Sequence, residues 1–146
     1  MMRRTLTRIA LVGLCLHGCD QDLCASDTDC RAVEALSRLF VAHGYPPIEG
    51  DVAVRWHDGK CVQDPDTAPG EWCTYGHTDR EGGAYVIDVA RQWGRAAVMA
   101  HEGFHVSLWQ QGDPDAQHLR TAEWAWAERE GVAALKTLTL TGSSGG

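Results

Sequence analysis

The sequence is short of three things that would each have pointed to a different class of protein. No apolar run is long enough to cross a bilayer. Ile9–Leu16 falls well below the roughly 20 residues that a helical span needs. Basic residues are few, 13 against 20 acids for a net charge of −7, and no basic stripe occurs, so nucleic acid is not an expected partner. None of the six cysteines forms a C-x-x-C pair, which argues against a thiolate metal knuckle. A chain of 146 residues has room for one domain with one core.

Met1, Met2, Arg3, Arg4 and Arg8 make a basic start ahead of that short apolar run, the pattern of a processed leader. Leu16-His17-Gly18-Cys19 follows and resembles the lipobox of bacterial lipoproteins. The resemblance implies a signal peptide over 1–18, lipidation of Cys19, and a lipid anchor holding the protein to a membrane of the cell envelope. Ordinary secretion with cleavage nearby is the alternative. Cleavage before Cys19 would remove three arginines and no acid, taking the net charge from −7 to −10. It would leave Cys24, Cys30, Cys61 and Cys73, an even set suited to disulfides in an oxidising compartment. Four cysteines allow three pairings, and proximity favours Cys24–Cys30 with Cys61–Cys73.

Residues 19–30 read as a tether, 31–140 as the folded domain and 141–146 as a flexible tail. Val33, Leu36, Leu39 and Phe40 share one face of a helix predicted from Arg31 to His43, with Asp29 placed to cap its start. In this reading His43 sits in the last turn, where a cation favours the helix dipole. Asp51–His57 alternates as a strand, Trp72–Thr78 is a candidate second strand, and Ala84–Val89 follows the Gly82-Gly83 turn. These strands are expected to form a small antiparallel sheet. From Gln92 to Gln110 the pattern turns helical and apolar nearly all round, which marks a buried central helix. Gly112–Asp115 breaks it, and a closing helix is predicted from Thr121 to Leu138. The expected class is α+β.

Inside the central helix stands His101-Glu102-Gly103-Phe104-His105, an H-E-x-x-H pattern. Two histidines four apart project from one helical face and can hold one metal ion, and the glutamate reaches the same place as a general base. Two histidines and a glutamate in so apolar a helix need a physical reason, and a metal supplies one. A catalytic zinc has three protein ligands and an open position. The third ligand must come from a segment that turns back, and His118, Glu123 and Glu128 are the candidates beyond the break. Glu128 shares an apolar helical face with Trp124, Val132 and Leu135, so its carboxylate wants a partner, either a metal or a ligand histidine. Asp113 and Asp115 are read as capping the turn or hydrogen-bonding a ligand imidazole. Gly103 would let another segment pack close. His57 and His77 read as ordinary sheet or surface residues, and the tryptophans as core.

The chain thus resembles a minimal zincin, a resemblance covering mainly Ala84–Leu135 and specific at His101, Glu102 and His105. The metzincin pattern would need a histidine where Gln111 stands, and neither Glu123 nor Glu128 has the context of a thermolysin-like ligand. The resemblance implies a zinc cofactor, a peptide or protein substrate, and amide hydrolysis with Glu102 as the catalytic base on a water the metal activates. It also implies a tyrosine or histidine that polarises the substrate carbonyl, with Tyr75, Tyr85 and His77 as candidates. Two alternatives keep the chain non-catalytic. In one, His101, His105, His118 and Glu128 close a structural zinc site. In the other, a disulfide-stapled lipoprotein binds a partner protein.

Overall fold

A computed structural model describes residues 27–59, 61–63, 73–92 and 95–138. The expected leader at 1–18, Cys19, Cys24 and the tail at 141–146 lie outside the described residues. In chain order the elements are α1 (Asp27–Ala42), β1 (Val52–His57), β2 (Val62–Gln63), β3 (Cys73–Thr74), β4 (Gly76–Glu81), β5 (Ala84–Ala90), α2 (Arg95–Trp109) and α3 (Thr121–Leu135). The class is α+β, with three helices, a three-stranded sheet and a two-residue β2–β3 ladder among the described residues.

The expectation of an antiparallel sheet is corrected. The strand order is β1-β5-β4: β4 and β5 are antiparallel, whereas β1 and β5 run parallel, with Val52 opposite Tyr85 and Val54 opposite Ile87. Hydrophobicity accounts for the order. Every residue from Tyr85 to Ala90 is buried, so β5 takes the centre, where both of its edges are paired. The Gly82-Gly83 turn, with φ of 57° and 92°, ties β4 to one edge as a tight hairpin. β1 then occupies the other edge, and the long connection between β1 and β5 allows the parallel sense.

Helix α1 begins at Asp27, a turn earlier than the sequence suggests. Asp29 is accordingly not a cap. It lies inside the helix, fully buried, where its carboxylate accepts a hydrogen bond from the Trp56 indole at 3.3 Å. The candidate strand over 72–78 divides at Tyr75 into β3 and β4. Cys30 and Cys61 are disulfide-bonded; their expected partners, Cys24 and the Cys73 side chain, lie outside the described residues.

Helix α2 is the hub, packing against α1, α3, β4 and β5. Its run from Glu102 to Leu108 is buried throughout. Phe104 lies between Phe40, Tyr45, Trp124 and Trp126 at ring-centroid distances of 4.8–6.2 Å. Burial of one such side chain contributes about 1.5–3 kcal/mol. Gly103 lets α1 approach, since a methyl group there would stand 3.0 Å from Leu36 Cδ1. Gly131 does the same between α3 and α2, where a methyl group would meet Ala100 Cβ at 2.3 Å. These two close approaches set α1 and α3 against the H-E-x-x-H helix and against each other.

Candidate metal centre

Ala97, His101, His105 and Trp109 recur every four residues and form one stripe along α2. That stripe is one wall of an open cleft of about 860 Å³. Residues Thr74–Asp79 make the facing wall, and Pro114, Ala116, His118 and Glu128 close one side. His101, His105 and His118 come together there, each with one ring nitrogen within 4.8 Å of the others. Nε2 of His118 lies 2.9 Å from Nε2 of His101 and 3.2 Å from Nε2 of His105.

Hydrogen bonds fix the tautomers of the two helical imidazoles. Nδ1–H of His105 donates to the Pro114 carbonyl at 2.7 Å, and Nδ1–H of His101 donates to Glu128 Oε1 at 2.7 Å. With each ring's proton held at Nδ1, the Nε2 atoms of neutral imidazoles carry lone pairs. Lone pairs converging this closely repel unless a proton or a cation lies between them. The donor set fits zinc: four tetrahedral ligands at about 2.0–2.1 Å would stand about 3.3–3.4 Å apart, close to the spacings found here. Burial lowers the His105 imidazole to about 4; the Pro114 hydrogen bond opposes that shift, and the neighbouring His101 and His118 add to it. His118 is lowered as well, by desolvation first and the nearby His101 second.

Glu102 extends from α2 to the opposite wall. It is 5% exposed, and its Oε2 accepts a hydrogen bond from the Thr78 hydroxyl at 2.6 Å. Gly76 lies against the same carboxylate, with no room for a side chain between them. Desolvation raises the Glu102 carboxyl above its ordinary range, while the Thr78 hydrogen bond and the nearby His101 and His77 pull it down. A carboxylate beside three imidazoles that could hold a metal ion, raised but held by a hydrogen bond, has the makings of a general base.

Of the three candidates for a third ligand, His118 is the one that joins the cluster. Glu128 instead accepts from the outward nitrogen of His101. Glu123 turns to Arg120, at 3.8 Å, and to Tyr45. Tyr75 and His77 line the cleft, whereas Tyr85 is buried against Trp109 on the inner face of the sheet. His57 pairs with Asp88, and His43 at the end of α1 donates to the Leu39 carbonyl while its ring lies tilted against Trp126.

Three residues that the sequence did not single out for the site help to build it. Thr78 and Gly76 face Glu102 because β4 alternates. Trp124, read as core, lies 4.4–4.7 Å between ring centroids from all three histidines. Glu102, Thr78 and the imidazoles thus share one solvent-reachable cleft. Comparison with known protein families, with curated proteins and with solved structures finds no match.

Proposed function

We propose that the chain is a zincin-like metallohydrolase that cleaves peptide or amide bonds, anchored in the cell envelope through a lipid at Cys19. The observation that carries the reading is the convergence of three imidazole Nε2 atoms next to a buried glutamate in an open cleft. His101, His105 and His118 would hold the zinc, and the ion would supply Lewis-acid activation of a water and of the substrate carbonyl. Glu102 takes the proton as the water attacks the carbonyl carbon and delivers it to the nitrogen as the C–N bond breaks. Thr78 holds one oxygen of Glu102, and the residue lines the cleft beside the imidazoles.

The shape of the cleft supports a peptide over a compact amide. From Ala97 to Trp109 the α2 wall is about 18 Å long at 1.5 Å per residue, enough for roughly five residues of extended chain. Glu128 argues against a closed structural site, because its carboxylate is committed to the outer nitrogen of His101.

The test is zinc content of the soluble domain, begun after Cys19, followed by cleavage of a peptide library. Wild type should carry about one zinc per chain and cleave, while Glu102→Gln keeps the zinc and loses about 100-fold or more in rate. Equal turnover by Glu102→Gln and wild type would remove the hydrolase reading.

A further inference from the structure

His118 reaches the site from an unfavourable backbone. Its φ is 53° and that of Asp115 is 50°, the two non-glycine residues with positive φ among those described. Aspartate and histidine visit this left-handed region more readily than most residues, but something must still hold them there. The bonds that do so converge on one carboxylate. Asp115 is 5% exposed; its Oδ1 accepts from the Leu119 amide at 3.0 Å, and its Oδ2 from the Arg120 amide at 3.1 Å. Its own carbonyl accepts from the His118 amide at 2.8 Å, and its amide donates to Asp113 Oδ1 at 2.9 Å. His118 is therefore bracketed, with its own amide and the next two all bonded to Asp115.

The same Oδ2 also accepts from the Trp124 indole N–H at 2.7 Å. That indole packs on His101, His105 and His118 together. Asp115 thus touches both the segment that delivers the third ligand and the ring that all three ligands rest on. An ordinary helix cap would not need this arrangement. A cap bonds the second or third amide inside a helix, whereas Asp115 bonds amides at and before Arg120, the residue that precedes α3.

We infer that Asp115 is the positioning residue of this centre, setting the place of His118 and the orientation of Trp124 without touching the metal itself. The inference rests on the metal-binding part of the proposed function and not on hydrolysis.

The experiment is a double-mutant cycle read by zinc affinity, using chelator competition on wild type, Asp115→Ala, His118→Ala and the double variant. If Asp115 acts through His118, Asp115→Ala weakens zinc binding about 10–100-fold, and the double variant binds no more weakly than His118→Ala. The cobalt(II) absorption spectrum of Asp115→Ala should then resemble that of His118→Ala more than that of wild type. Should Asp115→Ala fail to fold, Asp115→Asn, which keeps one carbonyl acceptor, should give an intermediate affinity in the same cycle. Full additivity of the two losses, or wild-type affinity in the Asp115 variants, overturns the inference. Absence of zinc binding by wild type is a different result, and it removes the proposed function itself.

Discussion

His101 donates from Nδ1 to Oε1 of Glu128 at 2.7 Å, across the contact between α2 and α3. The bond fixes the ring's tautomer and aims Nε2 into the cluster, the usual work of a carboxylate behind a ligand histidine. Glu128 is half exposed, so replacing it leaves little unpaired in the core. Glu128→Ala should weaken zinc about 10–100-fold by chelator competition, with helix content unchanged by circular dichroism. Unchanged affinity would mean that the ring is held by packing on Trp124 alone.

The metal-free protein should lose stability in mild acid. His105 titrates at about 4 in the folded chain against an ordinary 6.5, so between those values the unfolded chain binds a proton that the folded chain refuses. The stabilisation is complete above pH 6.5 and is lost as the pH falls toward 4, at most about 3 kcal/mol. His118, also lowered, acts in the same direction. Glu102 opposes them, because its raised carboxyl takes up a proton more readily when folded. Urea midpoints in the presence of a chelator are therefore best compared in Glu102→Gln, from pH 7.5 down to 4.5. A midpoint that holds level or rises toward acid would contradict the neutral, buried state of the His105 ring.

The parts of this arrangement that were legible in the sequence are those governed by local spacing. His101 and His105 share a face because they are four apart on a helix, and the Gly112–Asp115 break announces a chain that returns with His118. What spacing could not supply is which distant segment faces them. Thr78 meets Glu102 only because β5, the most apolar strand, takes the middle of the sheet and carries β4 across from α2. Trp124 has the pattern of an ordinary core residue, and nothing local distinguishes an indole packed on leucines from one packed on three imidazoles. Asp115 looked like a turn residue, which it is, but its burial follows from tertiary packing. Asp29 follows the same rule: a carboxylate near a helix start suggests a cap, and only tertiary packing brings Trp56 across the core to it.

Thr78 offers a separate handle on the base. Its hydroxyl donates to Glu102 Oε2 and favours the ionised form. Thr78→Val keeps the shape and removes the donor, so the Glu102 carboxyl should rise further. The acid limb of the kcat/KM profile should move to higher pH, with zinc affinity within a few-fold of wild type. A uniform drop in rate with no movement of that limb would assign Thr78 to packing.

Gly76 tests the placement of the base by steric means. A methyl group on its Cα would stand 2.5 Å from Val98 Cγ1, 2.7 Å from Glu102 Oε1 and 2.8 Å from Glu102 Cγ. All three distances are too short to persist. The backbone there does not have a positive φ, so alanine introduces no conformational strain and the effect is one of crowding. Of the crowded groups, the Glu102 carboxylate is the end of a flexible side chain with the cleft open beside it, so it is the part that yields. Displacement of a reacting group by about 1 Å costs roughly 100-fold in rate. Gly76→Ala should therefore retain zinc, because no histidine of the cluster is among the crowded groups, yet cleave about 100-fold more slowly. If rate and zinc affinity fell together, β4 would be bracing the whole centre; if neither fell, Glu102 would not be the base.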